Sequence, residues 1–226
     1  MNSKKLILAS ILCLVLILGL YLSDTGRFSG LRNDDLWGTW STTVPASNYV
    51  REIVSSGLGV DCEVNEDLQI TYIFEYRQDG SLTLCLDNAS AEAVVEALKL
   101  ACESALPEAI YANFLNTQGL SREETDAFLL TLGTDIHALV ADSMGSINFD
   151  GILQQELTPM VMYYQFKDNK IYYASAPETL EAGKFEHRVD PALEGNKLTL
   201  GNATDAEGNP FEGSNVFKYP LILTRK

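Results

Sequence analysis

The sequence predicts an α+β protein: an antiparallel sheet, closed into a barrel or strongly curved, that carries an inserted helical subdomain and follows one N-terminal apolar segment. Three observations carry this reading. Apolar–polar alternation joined by tight turns occupies both ends of residues 34–226. Between them, over about residues 90–157, the apolar period changes from that of a strand to that of a helix. Both tryptophans sit near the start, in Asp34-Asp35-Leu36-Trp37-Gly38-Thr39-Trp40, while Arg225 ends the apolar row of the last strand.

Taken in order, Lys4 and Lys5 precede an uninterrupted apolar run, Leu6 to Leu22. At ~1.5 Å per residue the run reaches ~26 Å, near the short limit for crossing a bilayer core. It ends Gly19-Leu20-Tyr21-Leu22, which lacks the small residues of a cleavage site. An uncleaved anchor is therefore expected in preference to a removed signal. The lysines then leave the N-terminus inside, giving a single-pass cell-membrane protein with its domain extracytoplasmic, a secreted protein being the alternative. Cys13 lies mid-run behind Leu12, which excludes a lipoprotein attachment. Residues 24–33 read as a linker and 34–226 as the domain.

The net charge is −15, with 31 acidic residues against 16 basic. Nucleic acid and anionic lipid surfaces demand clustered Lys and Arg, so neither is expected as a partner. No motif points to a protein partner. Cys62, Cys85 and Cys102 match no metal spacing and allow at most one disulfide.

A first strand starts near Leu36 and a short helix follows near 47–56. Residues 68–76 alternate, with Leu68, Ile70, Tyr72, Phe74 and Tyr76 on one face, and Leu82, Leu84 and Leu86 alternate after Gln78-Asp79-Gly80. A two-residue turn would set Tyr76 against Thr83. A three-residue loop with Gly80 left-handed pairs Tyr76 with Leu82, Phe74 with Leu84 and Tyr72 with Leu86, and so is preferred. It turns Cys85 to the other face, beside Ile73. In the hairpin at 160–175, Asp168-Asn169 as a primed turn sets Phe166 against Ile171 and Tyr164 against Tyr173, with Met160 and Met162 on the same side. Further strands are expected at 185–189, with Phe185, His187 and Val189 on one side, at 197–200 and at 216–225, with a turn-rich loop at 203–215. Pro220 withholds an amide from the last strand.

The insertion reads as helices. One starts at Ser90, with Val94, Val95, Leu98, Ala101, Cys102 and Ala105 on its face; Pro107 suits the first turn of a second. Ser121 and Glu124 form a capping box opening a third, stopped by Gly133, and Asp135 to Met144 make a fourth, stopped by Gly145.

Strand parity puts Trp40 on the inner face, and a guanidinium at the end of an apolar row needs a receiver. The indole face of Trp40 would serve, which means that the last strand meets the first and the sheet closes. Trp37, of opposite parity, is expected at the rim or outside, packed on the insertion. Gly38, Trp40 and Arg225 together resemble the calycin superfamily, the lipocalins and fatty-acid-binding proteins. These open with Gly-x-Trp on the first strand and lay a late-strand Arg across that Trp at the closed end of the barrel. The LWGTW start, the acidic helices and the YPLILTRK end are similar to lipocalin-like domains of secreted or membrane-tethered bacterial proteins. The helical insertion departs from the family's plain up-and-down barrel. The resemblance implies binding of a lipid, pigment or other small hydrophobe, and transfers no ligand residue.

From the residues themselves, the expected lining is strongly aromatic: Tyr72, Phe74 and Tyr76 on one hairpin, Met162, Tyr164, Phe166 and Tyr173 on the next, then Phe185, His187, Phe217 and Tyr219. Of these, Tyr72, Phe74, Tyr164, Phe166, Tyr173, His187 and Tyr219 are the candidate ligand-binding residues. A filled barrel acting as an interaction module is the competing expectation. His137 reads as a core or boundary histidine, and Glu123, Glu124 and Asp126 as a solvated helix start. No nucleophile elbow, phosphate loop, Cys–His pair or metal spacing occurs, so neither a catalytic residue, a cofactor nor a metal is expected, and an enzyme is the remote third alternative.

Overall fold

The computed structural model describes residues 31–211 and 218–226. The run Leu6–Leu22 lies outside the described residues, as do Val216 and Phe217 of the expected last strand. Among the described residues no helix is long and apolar enough to cross a membrane. The chain divides into two units, residues 1–36 and 37–226. The described part of the first forms a single turn, α1 (Asn33–Leu36), started by the Asp35 carboxylate accepting the Arg32 backbone N–H at 2.8 Å.

In the second unit eight strands form one closed barrel in chain order: β1 (Gly38–Pro45), β2 (Gln69–Tyr76), β3 (Ser81–Leu86), β4 (Met160–Lys167), β5 (Lys170–Ala174), β6 (His187–Glu194), β7 (Lys197–Asp205) and β8 (Leu221–Arg225). Every ladder is antiparallel. The closing ladder is short: Trp40 pairs with Arg225 and Ser41 with Thr224, after which β1 and β8 diverge.

Turn chemistry sets the register of both hairpins. Gly80 takes φ +80°, and Tyr76, Phe74 and Tyr72 face Leu82, Leu84 and Leu86, with Ile73 against Cys85. Asp168 and Asn169 take φ 52° and 57°, and Tyr164 faces Tyr173 and Phe166 faces Ile171. The later strands differ from expectation. Phe185 precedes β6: the helix α7 (Pro177–Glu181) ends in left-handed Gly183, and the turn leaves Phe185 edge-on to Tyr172 at 5.0 Å instead of inside the barrel. β7 runs on to Asp205, since the register shift between Arg188 and Asp190 on β6 accommodates the left-handed Asn202. β8 starts only after Pro220, which has no N–H to give a ladder.

The helices are α2 (Ser47–Leu58), α3 (Asn88–Gln118), α4 (Arg122–Thr131), α5 (Ile136–Ser146) and α6 (Phe149–Leu157). Four of them, α3 to α6, lie between β3 and β4, and α3 is one helix of 31 residues that contains Pro107, where two helices were expected. A proline inside a helix removes one backbone bond. Here the apolar face continues across it, with Leu98, Ala101, Ala105 and Leu106 all buried, and packing outweighs the break. Asp87 caps α3 by accepting from the Ser90 N–H at 2.8 Å, and the Ser121–Glu124 capping box opens α4. Gly145 lies inside α5 and does not stop it; the chain turns only at Ile147.

The helices bury a core of their own against the ends of β1–β3. Val44, Ile70 and Leu86 pack there with Val50 and Val54 of α2 and Ala91, Val94 and Leu98 of α3, flanked by Phe149, Ile152 and Leu153 of α6. At ~1.5–3 kcal/mol for each fully buried aliphatic side chain, this cluster holds the insertion onto the sheet. Cys62 and Cys102 lie in it, and Cys62, Cys85 and Cys102 are free thiols.

Candidate ligand site in the barrel

Alternation along each strand aims one face of the barrel inward. That face leaves a cavity of about 260 Å³, lined by Phe74 and Tyr76 of β2, Leu82 and Leu84 of β3, Met160 and Met162 of β4, Tyr173, His187, Leu200 and Leu221 of β5–β8, and Phe211 and Tyr219 of the β7–β8 connection. None of these side chains is charged. Of the lining residues, Met160 at the start of β4 is 59 % exposed.

One wall is a stack. His187 lies face to face with Tyr173 at 4.8 Å (interplanar angle 22°) and with Phe211 at 4.7 Å (16°), so the imidazole is sandwiched between two rings. Its Nε2 lies 3.4 Å from the Tyr219 hydroxyl. Burial holds the imidazole below its ordinary value, with the nearby Glu186 carboxylate opposing, and pushes the Tyr219 hydroxyl up to about 12. At neutral pH both groups are uncharged. Deeper, the Tyr76 and Tyr173 hydroxyls meet at 2.7 Å. Burial raises both pKa values, and the two side chains are 1 % and 3 % exposed.

Of the candidate residues, Phe74, Tyr173, His187 and Tyr219 therefore come together on one cavity. Three do not reach it. Tyr72 has the right parity but lies where the helices cover the sheet: it packs in the second core, beside Tyr49 and Glu156. Tyr164 and Phe166 lie beyond Met162, toward the β4–β5 turn. The Tyr164 hydroxyl donates to the Arg77 carbonyl at 2.8 Å, and its ring meets Tyr76 edge-on at 4.9 Å. Tyr76, Leu82, Leu84, Met160, Met162, Leu200, Leu221 and Phe211 are lining residues outside the candidate set. Parity carried a signal for all of these but Phe211, which lies in a turn-rich loop. His137 sits on α5, which has no buried residue, so it is a surface histidine rather than a core one.

The closing seam is built as the tryptophan spacing implies. Trp40 is fully buried, and the Arg225 guanidinium lies over its ring at 4.7 Å while donating to the Trp37 carbonyl at 3.2 Å. Gly38, at φ +122°, allows the chain to enter β1 beside it. Trp37 is half-buried. Among the described residues its indole N–H has no partner of hydrogen-bonding geometry; it comes close to Tyr164 on β4, which places it at the closed end of the barrel rather than on the insertion.

A larger hollow of about 730 Å³ follows the seam outside the barrel, where β1 and β8 diverge. Ser41, Thr43, Asn48, Glu66 and Lys218 line it, and it is a polar surface groove without the apolar enclosure of a small-molecule site. Among the described residues no three His, Cys, Asp or Glu side chains are placed to hold a metal ion. Comparison of the chain with family profiles, curated proteins and solved structures finds no match.

Proposed function

We propose that this chain is a membrane-anchored, extracytoplasmic lipocalin-like protein, and that its barrel binds a small hydrophobic molecule. The observation that carries the reading is the uncharged cavity of about 260 Å³ inside a closed eight-stranded barrel. An apolar cavity of ~150 Å³ holds benzene, so this one has room for two fused rings or a short alkyl chain. The calycin assignment is supported by Gly38, Trp40 and Arg225 meeting at the closed end. The anchor is supported by Lys4, Lys5 and the run Leu6–Leu22.

The test is a titration of the full chain with uncharged two-ring aromatics and hydrophobic dyes, read by melting temperature and by tyrosine and tryptophan emission. Ligand at ~100 times its Kd stabilises by ~2.7 kcal/mol, a rise of several degrees in a chain of this size. A saturable one-site response is expected. Absence of both a shift and saturation would replace the reading with a non-catalytic interaction module. That second reading has its own support: Leu115 of α3, Leu130 of α4 and the adjoining Leu132 are each more than half exposed.

A further inference from the structure

Resting on the ligand-binding reading above, the lining chemistry narrows what the cavity accepts. We infer that the ligand is an uncharged, largely aromatic molecule with one hydrogen-bond acceptor, held at the Tyr76–Tyr173 hydroxyl pair, and that carboxylates such as fatty-acid anions are rejected.

The argument for an acceptor is a proton count. Two hydroxyls carry two protons, and the 2.7 Å bond between Tyr76 and Tyr173 uses one of them. The other O–H has no acceptor among the described residues, although both side chains are nearly fully buried and line the cavity. A buried donor without a partner is costly, and a carbonyl or ether oxygen brought in by a ligand would relieve it. The remaining polar groups, His187 and Tyr219, face each other, with the imidazole Nε2 3.4 Å from the Tyr219 hydroxyl, and both faces of the imidazole are occupied by Tyr173 and Phe211.

The argument against an anion is the composition of the wall. Among the described residues no lysine or arginine lines the cavity, and neutral His187 supplies no positive charge. A carboxylate would leave water without an ion pair, which proteins do not support in apolar surroundings. The overall charge of −15 adds repulsion on approach. A ring system, by contrast, meets Phe74, Tyr76 and the thioethers of Met160 and Met162, which make favourable sulfur–aromatic contacts.

The sequence holds four methionines, Met1, Met144, Met160 and Met162, so methyl-labelled methionine gives a four-signal NMR spectrum in which two signals report the cavity and Met144 on α5 is a control. The full chain in lipid nanodiscs is titrated with three probes of one skeleton: 2-acetylnaphthalene, 2-ethylnaphthalene and, at pH 7.4, 2-naphthoate. The ketone should shift Met160 and Met162 saturably and leave Met144 in place. The hydrocarbon should bind about fivefold more weakly, for want of one hydrogen bond, and the carboxylate about a hundredfold more weakly or not at all. Tyr76→Phe with Tyr173→Phe removes both partners at once, which is nearly neutral for folding. It should bring the ketone down to the hydrocarbon's affinity and leave the hydrocarbon's unchanged. Carboxylate binding as tight as the ketone's, or a ketone advantage that survives the double substitution, overturns this inference and leaves the ligand-binding reading standing. Failure of all three probes to move Met160 or Met162 overturns both.

Discussion

Trp40→Ala tests whether the barrel owes its closure to one indole. The ring is fully buried, carries the Arg225 guanidinium at 4.7 Å, and sits in a ladder of only two residue pairs, joined by the Lys226 N–H donating to the Thr39 carbonyl at 2.9 Å. Truncating a buried tryptophan costs about 3–5 kcal/mol, the lost transfer free energy plus the void left behind. The guanidinium contributes less: about 0.5–2 kcal/mol over the ring, with a solvent-exposed hydrogen bond to the Trp37 carbonyl adding about 1 kcal/mol. Arg225→Ala should therefore cost about 1.5–3 kcal/mol. Arg225→Lys should fall between, because an ammonium keeps the charge but loses the planar fork. Trp37→Ala, at a half-buried position, should cost clearly less than Trp40→Ala. Thermal unfolding of the full chain followed by circular dichroism reads these directly. At about 2–4 °C per kcal/mol for a chain of this length, Trp40→Ala should lower the midpoint by about 6–20 °C. Equal losses from the two tryptophans, or an unchanged midpoint for Arg225→Ala, would refute the reasoning.

Two further outcomes are expected. His187 is held below its ordinary pKa of 6.5 by burial, so the unfolded chain binds the proton more readily than the folded one. Stability from the neutral imidazole is thus full above pH 6.5 and falls as pH drops through the folded value, and His187→Gln should flatten the decline between pH 7.5 and 5.5 in midpoints measured side by side. Proline costs about 3 kcal/mol relative to alanine in a helix interior, so Pro107→Ala should stabilise α3 and raise the midpoint, whereas a fall would show that the proline is needed where it stands.

Local chemistry made much of this fold readable. Gly80 and Asp168-Asn169 dictate turn geometry, and with alternation they leave one register for each hairpin. Tryptophan placement and Arg225 pointed to the seam, although the choice between a curved sheet and a barrel needed the whole strand set. What stayed hidden is depth. A period of two tells which face a side chain takes, not how far along the barrel axis it lies. Tyr72, Phe74 and Tyr76 were therefore indistinguishable in sequence, yet Tyr72 ended under the helices while the other two line the cavity. Pro107 misled for a related reason: its local preference was plain, but the buried face running past it on α3 belongs to tertiary packing. Phe211 reaches His187 through a loop whose path no periodicity encodes.

The short seam also bears on the order and speed of assembly. Seven of the barrel's ladders join strands consecutive in the chain, β3 and β4 across the helical insertion, and β1–β8 joins the first strand to the last, with Ser41 and Thr224 separated by 183 positions. Closed from a free chain, a loop of that length would cost about 3 kcal/mol more entropy than a hairpin turn. Closed last, after the neighbouring strands have curled the sheet, it costs far less. Trp40 and Arg225 then act after the rate-limiting step of folding, and their contribution falls on the rate of opening: removing either should leave refolding nearly as fast and make the barrel unzip sooner.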